Sequence, residues 1–586
     1  MRAKIRNRQS TKPQRGQCSV TISRWQRTLR RPAVPMWRLV AKVATVLFPL
    51  SGRCPVAAFL PPSPQVPIAG GSRVWQSSSD EATAHADDSP LRCPMSDPTF
   101  NTDDNDSDEI EKQLPPPSFL SALLGIALAG SPWDYMLDLR AKGYDGVVPI
   151  NLGPVGVYNF LLSPESVRAA TVEQAATLPR RFSVPLFETL ELDRGLVYEQ
   201  GERHKSHKRI CIPSFEQSIS MASFVEATRD ELDAVGDRFD KVASSGRMLD
   251  LYSEMRRATL NVVLAVTFGL GKKGASSFDR ADELSQVIGE YLERIVALAN
   301  EVPPLWQISP RLSSNYIRVT DFLLPTLREL VAEVISARRQ LEAKEVIDRA
   351  DLLSVLVQQD LTDADIRSIL FDVVIAGSDT TASTATAALY VLHDPKNAKW
   401  LEKAREEAIA KNAGDGVALA DIKTELPVST AVAREILRLY PPVPFVGRTA
   451  TDDGALCNGL YPVKEGDTFC FSPWFLGRDP KAWGGDLQSE KDRAEAANQF
   501  NPQRWLADGM NGGAPSSFSW LPFGAGPRGC LGTRLGLTEV TLGVSRLLRD
   551  YEFEFEQSGP LPVKYDLTLN LDGVMNCRIA KRTSNR

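Results

Sequence analysis

Histidine is scarce in this chain: His85, His204, His207 and His393 are the only four in 586 residues, so a histidine-ligated metal site has few candidates. The eight cysteines stand at 18, 54, 93, 211, 457, 470, 530 and 577, with no Cys-x-x-Cys pair and no Cys/His cluster at zinc-ligand spacing. That scatter argues against a structural zinc and against a disulfide framework. No acidic residue precedes Asp80, and no apolar run approaches the roughly 20 residues that a spanning helix needs. A net charge of −5 argues against nucleic acid as a partner. No internal repeat is visible.

Composition divides the chain before the core begins. Residues 1 to 35 carry ten Lys/Arg, and the apolar run Val43-Ala-Thr-Val-Leu-Phe-Pro-Leu50 has the length of a signal-peptide core. The following Val56-Ala-Ala58-Phe59 junction resembles the two-part plastid leader of algae with complex plastids. Met36 is an alternative start, and a secretory leader into the endoplasmic reticulum is the alternative address. Residues 1–79 are thus expected to be a targeting leader. From Asp80 to Glu111 eleven acids face one arginine with few apolar residues, which predicts a disordered linker over 80–117, closed by Pro115-Pro-Pro117. Residues 118–586 remain as one unit, although length alone would suggest several domains. Phe119–Ala129 is apolar and too short to span a bilayer, but suits peripheral contact with a membrane interface.

The segment Phe523-Gly-Ala-Gly-Pro-Arg-Gly-Cys530-Leu-Gly532 carries the most information. A cysteine on a glycine-built turn, beside an arginine and before an apolar helix, is placed to be a metal-bound thiolate, because the unpaired N–H groups of a helix start stabilise the anion. Gly526 and Gly532 would let the backbone approach sulfur and a flat cofactor, Gly524 and Gly529 would take positive φ, Phe523 would screen the sulfur, and Arg528 would pair with an acidic group. A second segment, Ala376-Gly-Ser-Asp-Thr-Thr381, lies within a long helical pattern from 363 to 393, about 150 residues before the cysteine. Polar residues in a buried helix need a reason: Gly377 would allow close approach to a flat cofactor, and Asp379 with Thr380 can pass protons.

Both segments resemble the cytochrome P450 family of haem-thiolate monooxygenases, matching Phe-x-x-Gly-x-Arg-x-Cys-x-Gly and the oxygen-activation motif at every specified position. The resemblance implies a mostly α fold with a smaller β region, a single large domain holding haem b between the long helix and the Cys loop, and Cys530 as thiolate axial ligand. It implies that Phe523, Gly526, Arg528 and Gly532 shape the cofactor loop and that Asp379 and Thr380 steer protons to dioxygen. It further implies that Arg448, in Pro444-Phe-Val-Gly-Arg448, meets a haem propionate. Where the family usually has Trp-x-x-x-Arg, this chain has His204 and Lys208, which keep donors for propionates but lack the planar guanidinium fork; a solvated basic helix face is the alternative for His204 and His207. Glu435, Arg438 and Arg504 match the family's buried structural triad.

Local signals agree with such a core. Ser131-Pro132 and Ser163-Pro164-Glu165 read as helix starts, residues 147–152 and 157–162 as a two-stranded hairpin, and the stretch beyond 556 as closing strands. The reaction implied is insertion of one oxygen atom of O₂ into an apolar substrate, with a carotenoid, fatty acid or other plastid lipid suggested by the leader. Electrons are expected from a ferredoxin or a separate reductase, since no flavin domain follows the Cys loop. The competing readings are an O₂-independent haem-thiolate isomerase or dehydratase, and a catalytically silent haem-binding protein.

Overall fold

The computed structural model describes residues 114–582, apart from 154–155, 182–189, 191, 193, 271–279, 300, 302–304, 349–350, 507–515 and 567. The expected leader and nearly all of the expected acidic linker lie outside the described residues. The helices of ten residues or more are α1 (Phe119–Ala129), α2 (Pro132–Ala141), α3 (Gly201–Glu216), α4 (Ser218–Ser245), α5 (Leu251–Phe268), α6 (Ala281–Ala299), α7 (Leu324–Arg339), α8 (Asp363–Leu392), α9 (Ala398–Ala410), α10 (Pro427–Leu439) and α11 (Thr533–Asp550).

Local chemistry sets the element starts. Ser131 accepts from the Asp134 amide at 3.0 Å with Pro132 in the first turn of α2. The short helix Pro164–Arg168 opens on a capping box in which Ser163 and Ser166 cap each other. The expected hairpin is present as β1 (Val147–Asn151) and β2 (Val157–Leu161), antiparallel with Val148 opposite Phe160.

That hairpin shows why length misleads about domain number. Strand β2 pairs in parallel with β7 (Thr468–Phe471), Tyr158 opposite Thr468, and β7 pairs with β4 (Val446–Thr449), giving the order β1-β2-β7-β4. Between β4 and β7, β5 (Gly454–Leu456) and β6 (Tyr461–Val463) form a separate hairpin. Strands β3 (Leu249–Asp250), β11 (Asn576–Lys581) and β8 (Tyr551–Phe555) form a second sheet, while β9 (Val563–Asp566) and β10 (Thr568–Leu571) form a hairpin. Both larger sheets join chain segments hundreds of residues apart, so the helices and strands fold as one body.

Helix α8 is the axis. Its 30 residues span roughly 45 Å, and Thr362 caps it by accepting from the Asp365 amide while Asp363 and Asp365 face its positive end. It packs against α5, α10 and α11, and from Ala382 to Leu392 every residue is buried, with Ser383, Thr384 and Thr386 turning their hydroxyls back onto helix carbonyls. Gly377 departs from its expected use: a Cβ there would come within 2.9 Å of Val263 Cγ2, so this glycine lets α8 approach α5 and not a cofactor.

His393 closes α8, its Nδ1 2.6 Å from the Leu389 carbonyl oxygen and its ring edge-on to Phe553 and Phe555. Burial pushes its pKa from 6.5 to about 4. As pH falls below 6.5 the unfolded chain takes up a proton that the folded chain refuses until about pH 4, so stability is lost through that window. Urea midpoints measured between pH 7 and 4 should fall, and His393→Asn should flatten the slope; an equal slope in the variant would contradict this.

Candidate cofactor site at the Cys530 loop

Two backbone hydrogen bonds close the loop, from Cys530 N–H to the Phe523 carbonyl at 2.8 Å and from Gly529 N–H to the Gly526 carbonyl at 2.9 Å. The positive φ values fall at Gly524 (+68°) and Gly526 (+66°), whereas Gly529 has φ of −61° and needs no such freedom. At Gly526 a Cβ would stand 2.0 Å from the Thr171 carbonyl oxygen; the loop is therefore pressed against the chain after the short helix Pro164–Arg168. At Gly532 a Cβ would sit 3.8 Å from Cys530 Sγ, an ordinary contact. Cys530 itself precedes α11, deep in the fold yet with an exposed side chain. Burial raises its thiol pKa, while the Gly532 N–H, Arg181 and Lys208 pull it down.

Around this sulfur the chain collects positive charge. Arg448 is buried, and burial together with Arg181 and Arg528 pushes its pKa down to about 9. Arg528 is pushed to about 10 by burial and Arg181, and Lys208 to about 8 by burial and Arg181, with Cys530 opposing. His204 is pushed to about 3 by burial, Arg528 and Lys208, and so stays neutral. His204 and His207 are both buried, which rules out the solvated basic face. Lys208 departs from its expected aim: its Nζ donates to the carbonyls of Pro527 (2.6 Å) and Gly529 (2.9 Å). Arg448 donates to Gly447 O and lies over the Phe471 ring.

Arg181 is the group that motif reading missed. It donates to the Arg528 carbonyl at 2.7 Å, and its buried Nε has no partner, as is also true of Arg528 Nη1. Clustered buried cations that depress one another, with unpaired N–H groups, fit an anionic ligand. Haem, with two propionates and an iron able to take a thiolate, suits this donor set.

On α8 the expected pair is split between two environments. Asp379 accepts from Tyr252 Oη (3.0 Å) and Thr568 Oγ1 (3.1 Å) and pairs with Arg256 at 3.3 Å. It borders a cavity of about 260 Å³ that Leu260, Leu292 and Ile375 also line. Thr380 instead donates back to the Ala376 carbonyl at 2.6 Å. Ala376 is exposed although Val374 and Ser378, two residues to either side, are buried, so this stretch of the helix faces an opening inside the fold.

Glu435 and Arg438 lie on α10, both fully buried and joined by two hydrogen bonds of 2.7 and 2.8 Å. Arg504 adds an ion pair at 3.6 Å. The sequence did not reveal two further donors to Glu435, the Asn501 amide (2.8 Å) and the Trp505 indole (2.9 Å). From Trp505 a row of tilted and edge-on ring contacts continues through Trp520 to Phe523, with ring centroids 5.3 and 6.1 Å apart, and Arg434 lies over both indoles.

The chain's residues 113–574 match the family model for cytochrome P450. It belongs to the cytochrome P450 family. Relatives include the chloroplastic protein LUTEIN DEFICIENT 5 of Arabidopsis thaliana, 26% identical over 75% of this chain and 73% of that protein. Cytochrome P450 4F12 of Homo sapiens is 24% identical over 73% and 81%. The crystal structure of the P450DA heme domain shares the fold, with a TM-score of 0.59 at 20% identity, over 77% of this chain and 91% of that one.

In this P450 the loop, the cation cluster and the buried triad are distant in sequence and adjacent in space. Replacing Glu435 by Gln would leave the buried Arg438 charge without its counter-ion, a loss of about 3–5 kcal/mol. Guanidinium-chloride unfolding should show that loss as a markedly lower midpoint, together with weak haem uptake; a midpoint near the native value would contradict it.

Proposed function

We propose that this haem-thiolate monooxygenase takes its iron ligand from Cys530, steers protons through Thr380 and Asp379, and acts on an apolar plastid lipid, a carotenoid or a fatty acid. The observation that carries the reading is the meeting of an exposed cysteine with buried, unpaired arginine N–H groups beside it. When bound, the haem supplies activation of O₂ and delivery of one oxygen atom. Arg181, Arg448 and Arg528 would hold the propionates, His204 would offer a neutral N–H, and Lys208 would brace the loop through its carbonyls.

Thr380 has a hydroxyl that is free to turn from Ala376 O toward the opening, and so can present a proton there. Asp379 is anchored one residue away by Tyr252, Thr568 and Arg256; in the proposed relay its carboxylate takes a proton from solvent in the adjoining cavity and returns it through water to Thr380. The family draws electrons from redox partners; here a ferredoxin or separate reductase is proposed.

The plastid address rests on the Ala58-Phe59 junction and on a chloroplastic relative. On α1, Leu120, Leu124 and Leu128 form an exposed apolar stripe at four-residue spacing, suited to shallow contact with a membrane surface that supplies lipid. Among the described residues no helix is long and apolar enough to cross a membrane.

Cys530→Ala should abolish the red-shifted Soret band of the reduced, carbon-monoxide-treated protein; a retained band would refute the ligand. With a ferredoxin system and a plastid lipid extract, the native protein should yield a product heavier by one oxygen. Thr380→Ala should keep the spectrum while product per reducing equivalent falls about tenfold. No oxygen-added lipid, or unchanged coupling in the variant, would count against the substrate and the relay respectively.

A further inference from the structure

Residues 195–200 form a strap whose two ends are held by different parts of the site. At one end, Asp372 on α8, two turns before Thr380, is only 3% exposed, and a buried carboxylate needs donors. Its Oδ2 accepts from the amides of Leu196 (2.5 Å) and Val197 (2.6 Å), which lie 176 and 175 residues away in sequence. Gly195 makes this approach possible, since a Cβ there would fall 2.3 Å from Asp372 Oδ2 and 2.7 Å from the Ser368 carbonyl oxygen.

At the other end the strap meets the Cys530 loop. Arg528 donates to Glu199 O and Gln200 Oε1, both at 2.8 Å. Arg181 reaches Val197 O (3.4 Å) and Arg528 O (2.7 Å), and Gln200 donates in turn to Arg181 O at 3.1 Å. Both Cys530 and Asp372 act electrostatically on the Arg181 guanidinium.

We infer that Asp372, with Gly195, is a positioning device for the cofactor: it pins the strap to α8 and thereby aims Arg181 and Arg528 at the haem edge. This rests on the reading of the Cys530 loop as the haem site. Asp372 itself need not touch the cofactor. Its carboxylate fixes the backbone whose carbonyls orient both guanidiniums, so α8 acts through the strap on the two side chains that would hold the cofactor.

The test uses the haem-loaded full chain. Asp372→Ala and Gly195→Ala should each raise the rate of haem transfer to apomyoglobin about tenfold, with the Soret band initially native. Hydrogen exchange at the Leu196 and Val197 amides should quicken in the same variants. Asp372→Asn keeps an acceptor oxygen and should restore slow exchange and most haem retention, a rescue that general loosening would not give. Unchanged haem loss in both alanine variants would overturn the inference. If those variants fail to fold, fast exchange of the two amides in the native holoenzyme would overturn it and slow exchange, kept in Asp372→Asn, would sustain it. Failure of the Cys530 reading is distinguishable, because native protein would then release haem as fast as Cys530→Ala.

Discussion

One buried carboxylate ties α10 to the segment that leads into the Cys530 loop. Glu435 is completely inaccessible and receives two bonds from Arg438, one from the Asn501 amide and one from the Trp505 indole. Arg438 in turn donates to the carbonyls of Gly477, Ala497 and Gln499. An ion this deep is tolerable only when every lone pair is used, and that condition forces α10 and the irregular segment 497–505 into one geometry. The Trp505–Trp520–Phe523 row of tilted rings extends this rigidity to the Cys530 loop, where Phe523 O accepts from the cysteine N–H.

The site beyond that brace is built from unbalanced charge. Arg181, Lys208, Arg448 and Arg528 share a small volume and depress one another, an arrangement that costs stability unless an anion joins it. Asp372 offsets part of this charge from the far side of the strap, at a position where it also serves the backbone. Within the cluster, Arg181 Nε and Arg528 Nη1 are left without partners in the protein itself, as donors meant for such an anion would be.

Helix α8 separates its tasks by direction. At roughly 100° per residue, Gly377 packs on Val263 of α5, Asp379 reaches Tyr252 farther along α5 and Thr568 on β10, and Ala376 with Thr380 faces the internal opening. A single short motif thereby supplies helix packing, an anchored acid and an accessible hydroxyl. The acid and the alcohol are neighbours in sequence but face different surroundings, Asp379 toward Tyr252, Thr568 and Arg256 and Thr380 toward the Ala376 carbonyl.

From the sequence alone the family, the long helix, the early hairpin, the Cys530 loop and the Glu435–Arg438 pair could all be read, because each depends on residues close together in the chain or on a spaced motif. Periodicity, caps and turn glycines act locally and leave local traces. What only the tertiary structure decided is which groups meet across long separations: Arg181 with Arg528, Asp372 with Leu196 and Val197, Trp505 with Glu435, and Lys208 with loop carbonyls instead of an acid. The direction of a glycine's missing Cβ belongs to the same class, since Gly377 and Gly526 face protein neighbours that no spacing rule names. These contacts are set by packing of elements hundreds of residues apart, where burial and the need to satisfy every polar group choose the partner.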